Sequence, residues 1–218
     1  MNRRELLLGA MATASLTPAL GAPQRRQYET RFDGAELPIS EGGAWSNNGR
    51  DWAQVRKHNG LAYGTQTGYD GYNDSYALLS GFPPDHSASA VIHLSPDLDP
   101  RCVHEVEVLL RFSDAPHHAT GYECNLAYDG HYCEIVAWNG AIGDFTKLAR
   151  GSVPAVRTGD VLTGVAKGNV ITIYMNGREV VHAVDSRFRT GNPGMGFFRQ
   201  PCGSNSDYGF SSFTATSL

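Results

Sequence analysis

Two short turns, each flanked by segments that alternate polar and apolar residues, constrain the fold most strongly. Asp129-Gly130 lies in the middle of residues 121–138, and Asn176-Gly177 lies in the middle of residues 170–184. Asp-Gly and Asn-Gly favour two-residue turns between antiparallel strands, because such turns need positive φ angles. Each pattern therefore predicts a β-hairpin.

The remaining chain repeats this theme. Runs rich in Val, Ile, Thr, Tyr and Phe are separated by Gly, Pro, Asn and Asp, and no sustained helical period follows residue 22. Many short strands without intervening helices predict an all-β fold, a two-sheet antiparallel jelly-roll β-sandwich. The predicted strands lie near 28–33, 52–57, 61–65, 75–80, 88–94, 102–112, 121–127, 131–138, 146–150, 161–167, 170–175, 178–184, 195–199 and 207–216.

The first residues have the composition of an export signal. Arg3 and Arg4 precede the apolar run 6–12, and small residues continue to Ala22. The paired arginines resemble a twin-arginine signal, and an ordinary export signal is the alternative. The apolar run is too short for stable membrane insertion, so a periplasmic or extracellular protein is expected. The predicted division is an export signal at 1–22, a linker at 23–27 and a single domain at 28–218.

Composition narrows the range of partners. The formal net charge is −4, with 18 Lys and Arg residues against 22 Asp and Glu residues. Nucleic-acid binding needs clustered positive charge, so no nucleic-acid partner is expected. The chain is expected to be a monomer, and no motif in it requires a cofactor.

One predicted sheet face collects polar side chains. Alternation on the strand 102–112 places Glu105, Glu107 and Arg111 on the face opposite the valines. In the hairpin around Asp129-Gly130, Asn125 is expected opposite Glu134. If these strands are neighbours, one face carries Glu105, Glu107, Arg111, Glu123, Asn125, Tyr132, Glu134 and Trp138.

That mixture of side chains suits a sugar, because an aromatic ring covers the apolar face of a pyranose and carboxylates or amides bind its hydroxyls. The four glutamates, Glu105, Glu107, Glu123 and Glu134, are candidates for the acid or base of a hydrolase or lyase. In the lyase alternative, Arg111 would neutralise a uronate. A plain solvated face is the third interpretation, because an antiparallel sheet commonly exposes one side.

Loop residues extend the candidate site. His117 and His118 are expected beside the candidate face, where a histidine could act as a base. Trp45 is a candidate for a binding rim, whereas Trp52 is expected in the core. Cys124 and Cys133 are expected diagonally on adjacent strands and facing inward, either as a disulfide or as two buried thiols.

Several segments resemble concanavalin A-like lectin/glucanase domains, including laminin-G-like ones. Residues 159–177 are similar to their back-sheet hairpin, residues 185–198 to their return to the front sheet, and Asp74-Ser75-Tyr76-Ala77 is typical of them. The resemblance covers roughly residues 28–216. It implies a jelly roll that serves as a lectin, a carbohydrate-binding module, a glycoside hydrolase or a polysaccharide lyase.

The same resemblance shows departures. Glu105-Val106-Glu107-Val108 is a partial match to the clustered-carboxylate strand of laminarinase-like hydrolases, and the alginate-lyase pattern is absent. Secreted 3-keto-glycoside hydrolases share a Glu-x-Glu strand followed by Tyr-Glu, here Tyr122 and Glu123. Calcium is the one structural ion to consider, through Asp70 and Asp74 or, as in related binding modules, through Asp207.

The sequence therefore predicts an exported protein that interacts with a polysaccharide or glycoconjugate. Binding alone and binding with cleavage both remain open. The alternative from another class is a structural or protein-binding envelope domain, which would show a flat exposed apolar patch.

Overall fold

The computed structural model describes residues 25–49, 51–67, 74–141 and 143–218. Within these ranges, fifteen strands form two antiparallel sheets packed as a sandwich, which confirms the predicted all-β jelly-roll fold. The predicted export signal at 1–22, the start of the linker and Asp70 lie outside the described residues. No helix in the described part of the chain is long and apolar enough to cross a membrane.

The larger sheet forms the back of the sandwich. Its order is β13-β12-β11-β6-β15-β4-β3-β2, and β1 pairs with β15 beside β4. The bounds are β1 Gln27–Thr30, β2 Ala35–Glu36, β3 Val55–His58, β4 Leu61–Gly64, β6 His86–Leu94, β11 Val161–Lys167, β12 Val170–Met175, β13 Arg178–Val184 and β15 Tyr208–Ser217.

The smaller sheet forms the front and carries the predicted polar face. Its order is β10-β9-β8-β7-β14-β5. The bounds are β5 Ser75–Leu78, β7 His104–Ala115, β8 His118–Ala127, β9 Cys133–Gly140, β10 Phe145–Gly151 and β14 Asn192–Arg199. A single turn of 3-10 helix, Asn205–Asp207, precedes β15.

Both predicted hairpins form, and the first has the predicted register, whereas the register of the second shifts by one residue at a bulge between Ile173 and Tyr174. Asn125 of β8 pairs with Glu134 of β9, as the spacing around Gly130 requires. In the second hairpin, Asn176 and Gly177 have φ values of 51° and 76°, as a type I′ turn needs.

The hydrophobic core lies between the two sheets. Val106, Val108 and Leu110 of β7 point into it, and Phe210 and Phe213 of β15 meet them from the back sheet. Alternation then sends every second residue of the front strands to the outer surface of the front sheet.

A β-bulge in β7 breaks this alternation. The register with β8 shifts between Leu110 and Ser113, and Arg111 has a φ of 48°. Phe112 therefore lies on the outer face of the front sheet, in a cluster with Leu109 and Tyr76.

The prediction that Arg111 shares the face of the glutamates is therefore wrong. Its buried guanidinium instead donates hydrogen bonds to the Pro84, Phe188 and Gly168 carbonyls and to Asp85, which lie around the back sheet.

Of the two alternatives for Cys124 and Cys133, the disulfide is wrong. Cys102 and Cys202 form the disulfide, whereas Cys124 and Cys133 are free and buried. Cys124 pairs with Ile135 across the strands, so Cys133 lies only diagonally to it. The second alternative for these two residues, a pair of buried thiols in the core, is the one that forms.

Candidate functional site

One row of residues crosses the whole front sheet. Tyr76 pairs with Gly196, Gly196 with Glu107, and Glu107 with Asn125. Asn125 then pairs with Glu134, which pairs with Arg150. Because paired residues share a face, their side chains stand side by side on the outer surface.

A second row, two residues along β7, β8 and β9, adds a further acid. It runs from Leu109 to Glu123, Val136 and Lys147. Glu105 lies on the other side of the first row, beside Phe198. The two rows thus bring acids from three strands to one place.

These side chains surround a cleft of about 160 Å³. Seven of the residues predicted from sequence line it, namely Glu105, Glu107, Glu123, Asn125, Tyr132, Glu134 and Trp138. The lining residues that were not in the predicted site are Asp74, Val136, Phe145, Lys147 and Phe198.

Glu123 is fixed by three donors. Trp138 Nε1 donates to Oε2 at 2.6 Å, the Tyr76 hydroxyl to the same oxygen at 2.8 Å, and Asn125 Nδ2 to Oε1 at 3.0 Å. Burial raises the pKa of the Glu123 carboxyl above its ordinary value, although these hydrogen bonds act in the opposite direction. The orientation of the Glu123 carboxylate is therefore set by these three protein donors and not by solvent.

Glu105 is the acid whose pKa is raised into the neutral range. Burial raises the pKa of its carboxyl to about 7, with the charges of Glu123 and Glu134 adding to the effect. The Tyr132 hydroxyl donates a short hydrogen bond to Oε1 and partly offsets this rise. Near neutral pH, Glu105 can therefore be either a hydrogen-bond donor or an acceptor.

Glu107 and Asp74 are also buried. Burial, followed by the charge of Glu123, raises the pKa of both carboxyls well above the ordinary values. Glu107 is 1% exposed, and its Oε2 has no hydrogen-bond partner among the described residues. Gly196 makes room for it, because a Cβ at that position would lie 2.1 Å from Oε2.

Glu134 differs from the other acids because it has cationic partners. Lys147 Nζ lies 2.7 Å from Oε2 and Arg150 Nη1 lies 3.1 Å from Oε1. Both cations are more than half exposed, and the Arg150 guanidinium lies over the Tyr132 ring. This corner of the cleft therefore carries positive charge at its rim.

Aromatic rings form the other wall. Trp138 lies on the predicted face but is 3% exposed, packed edge-on against Tyr76 and Trp52. Phe145, directly across from Trp138, is 37% exposed. Phe145 is therefore the ring that the cleft offers to a ligand, and a strand begun one residue earlier in the sequence prediction would have included it.

Two of the predicted tryptophan positions need correction. Trp45 is buried between the sheets against Phe213, and its Nε1 donates to Tyr28 and Glu41. It therefore forms no binding rim. Trp52 is buried as predicted, but it belongs to the cluster on the outer face of the front sheet and not to the core between the sheets.

Neither histidine of the pair lines the cleft. His117 and His118 are exposed at the turn that joins β7 to β8, and His117 is paired with Asp51. The turn is about 25 Å along the strand from Glu107, but His118 adjoins Gly140, two residues from Trp138 at the aromatic end of the cleft.

Asp207 also lies apart. Its Oδ2 accepts the Ser204 N–H at 2.7 Å and so caps the 3-10 turn. Among the described residues, the group whose ligand oxygens come within reach of one ion consists of Glu105, Glu107 and Glu123. The arrangement can thus bind hydroxyl groups, exchange a proton at Glu105, or hold a cation.

No family model matches the chain, and no curated protein matches it. Several solved structures are similar to this chain in fold. The carbohydrate-binding module CBM66 from Bacillus subtilis is 21% identical, with a TM-score of 0.55 over 72% of this chain and 92% of the module. Porphyranase B from Zobellia galactanivorans is 9% identical, with a TM-score of 0.54 over 91% and 96%.

The GH43 protein BlXynB from Bacillus licheniformis is 16% identical, with a TM-score of 0.54 over 87% of this chain. This chain spans 39% of that protein. These similarities confirm the jelly-roll β-sandwich fold that the sequence predicted.

Proposed function

We propose that this chain is an exported protein that binds a polysaccharide or glycoconjugate through one sugar residue held in the cleft of the front sheet. The observation that carries the proposal is the pairing of an exposed ring, Phe145, with fixed polar groups at one small hollow. An apolar wall with a few oriented polar groups is the usual composition of a carbohydrate site.

The size of the cleft supports a single sugar residue. Its volume of about 160 Å³ lies below the roughly 300–1,000 Å³ of pockets that enclose drug-sized ligands. A chain end or one side residue fits such a space, whereas a long buried oligosaccharide does not.

The polar groups are already ordered. Asn125 is held by its hydrogen bonds to Glu123 and to the Glu134 backbone N–H, and Glu105 is held by Tyr132. A ligand hydroxyl would therefore meet donors and acceptors whose entropy is already lost, which favours affinity. Lys147 and Arg150 at the rim would reach an outer hydroxyl or an acidic substituent.

The structural neighbours support the same class of ligand. One is named as a carbohydrate-binding module, another as a porphyranase, and a third as the carbohydrate recognition domain of Emp46p, with a TM-score of 0.54. The disulfide between Cys102 and Cys202 supports export, because such bonds persist in oxidising compartments.

Binding without cleavage is the better-supported activity. A glycosidase needs an acid and a second carboxylate that reaches the sugar. Glu105 could be the acid, but Glu107 and Glu123 are 1% and 5% exposed, and Glu134 is paired with two cations. The alternative of a protein-docking domain has less support. The exposed large apolar side chains of the described residues are Leu37, Phe145, Val184 and Leu218, at separate places in the fold.

The test is a glycan panel followed by titration calorimetry on the best ligand. Wild type is expected to bind, and Phe145→Ala is expected to weaken binding by roughly fivefold, because a sugar–aromatic contact contributes on the order of 1 kcal/mol. Val184→Ala is the matched control, since Val184 is also an exposed apolar residue but lies on β13 in the other sheet.

Reducing-end and unsaturated-product assays on the same ligands separate binding from hydrolysis and elimination. Product formation that Glu105→Gln abolishes would replace the binding proposal by an enzymatic one. Failure of the panel, or equal affinity of Phe145→Ala and wild type, would refute the assignment of the cleft.

A further inference from the structure

Three carboxylates at the floor of the cleft are arranged like the ligands of one ion. Oxygen atoms of Glu105, Glu107 and Glu123 all lie within 4.8 Å of one another. Ca²⁺ binds oxygen at roughly 2.3–2.6 Å, so oxygens on opposite sides of the ion are separated by about 4.6–5.2 Å. The three oxygens therefore fit within a single coordination shell.

The hydrogen bonding of Glu107 supplies a separate observation. Its Oε2 is buried and has no hydrogen-bond partner among the described residues. By contrast, Glu105 accepts a hydrogen bond from Tyr132, and Glu123 accepts three hydrogen bonds. A buried acceptor without a partner costs about 1–3 kcal/mol. The backbone of Gly196, on a different strand, leaves the space that this oxygen occupies.

The distribution of charged side chains around the cleft also favours a bound cation. Asp74 is a fourth buried acid whose pKa is raised, after burial, by the charges of Glu123 and Glu105. The two cations at the rim, Lys147 and Arg150, form their ion pairs with Glu134. Within the described residues, no ion pair with a lysine or arginine neutralises the three-carboxylate group.

We propose that Glu105, Glu107 and Glu123 hold one hard divalent cation, of the Ca²⁺ or Mn²⁺ class, at the floor of the cleft. Oxygen-only donors select such ions over zinc or copper. Waters from the open side of the cleft complete the coordination. The ion replaces the protons that burial otherwise retains on these acids, and it supplies the missing partner of Glu107 Oε2.

This site differs from the calcium positions that the sequence suggested. Asp207 caps the 3-10 turn, and Asp74 lies beside the group as a fourth acid. The inference also stands apart from glycan binding, because the ion is measured without any sugar present.

The experiment uses folded protein treated with a chelator and then dialysed. Titration calorimetry with CaCl₂ and electron paramagnetic resonance with MnCl₂ are expected to show one saturable ion per chain, each ion displacing the other. Glu107→Gln keeps the shape of the side chain but removes its charge, and is expected to weaken binding roughly tenfold or more.

Glu29→Gln is the matched control, because Glu29 is an exposed acid on β1 of the back sheet, and its affinity is expected to equal that of wild type. If Glu107→Gln does not fold, as judged by circular dichroism, Glu105→Gln at the less buried edge of the group replaces it. Absence of saturable binding to wild type, or wild-type affinity in the folded variant, would overturn the proposal.

Discussion

The imidazole Nε2 atom of His86 accepts a hydrogen bond from the backbone N–H of Arg111, at 3.1 Å, across the two sheets of the sandwich. Its Nδ1 atom lies 2.7 Å from the Pro83 carbonyl oxygen, which can only accept. These two partners require a neutral ring with its proton on Nδ1. The β-bulge that moves Phe112 to the outer face is thus held by a histidine that must stay uncharged.

This requirement predicts a loss of stability in acid. Burial lowers the pKa of His86 to about 4, while the unfolded chain binds the same proton near 6.5. Since the unfolded state takes up the proton first, the contribution of His86 to stability is complete above pH 6.5 and is lost as the pH drops towards 4, by up to about 3 kcal/mol. The raised pKa of Glu105 acts in the opposite direction over the same range, so the His86 contribution is measured as the difference between wild type and His86→Gln in urea unfolding from pH 7.5 to pH 4.5.

His86→Gln separates this contribution from that of His104, whose pKa burial also lowers to about 4. Glutamine offers an oxygen to Arg111 and a donor to Pro83, but it does not titrate. The variant should lose part of the acid slope. An unchanged slope in His86→Gln would contradict the assignment.

Arg111→Ala is expected to lower the free energy of unfolding by about 3 kcal/mol or more. The buried Arg111 side chain makes four hydrogen bonds, one of them to Asp85, and its truncation removes all four together with the packing of its stem. Chemical denaturation measures the change. Arg178→Ala, an exposed arginine on β13, is the control. A loss below 1 kcal/mol would show that the bulge is held by other contacts.

The cysteine pairing predicts two reactive thiols per oxidised chain. Cys124 and Cys133 should react with a thiol reagent only after denaturation, because both are buried, while Cys102 and Cys202 should not react without a reductant. Reduction of the disulfide, which spans 100 residues of sequence, should cost roughly 2–5 kcal/mol of stability. Thiol counting and peptide mapping check the pairing. A Cys124–Cys133 peptide would contradict it.

The alternation of side chains along the strands predicted most of the cleft. Local strand geometry alone decides on which face of the sheet a side chain lies, and this placed Glu105, Glu107, Glu123 and Glu134 together. The predictions that failed concern features that depend on contacts between residues far apart in the sequence. The bulge at Arg111 needs His86 and the close approach of Gly191, where a Cβ would lie 2.2 Å from the Arg111 carbonyl.

The cysteine pairing depends on topology in the same way. Cys102 precedes β7 and Cys202 follows β14, and these strands are neighbours in the sheet although 100 residues separate the two cysteines. Hydrophobic periodicity does not report which strands become neighbours. The sheet face that each residue occupies was therefore predictable, whereas the pairing of strands far apart in the sequence was not.

The hydrogen bond from Tyr132 to Glu105 gives the last prediction. Burial raises the pKa of Glu105 to about 7, and the Tyr132 hydroxyl restrains that rise by stabilising the ionised form. Tyr132→Phe removes the donor but keeps the ring beneath Arg150. In metal-free protein, the Glu105 pKa should therefore move above 7, as followed by the carbon-13 shift of its carboxyl group.

The sign for stability follows from the same shift. An acid whose folded pKa is raised above 4.5 stays protonated in the folded state, so stability is complete at low pH and declines as the pH rises through this range. Tyr132→Phe should extend that decline to higher pH. Tyr174→Phe, on β12 of the back sheet, should leave the Glu105 titration unchanged. A Glu105 pKa that stays the same or falls in Tyr132→Phe would mean that the hydroxyl does not act on the carboxylate.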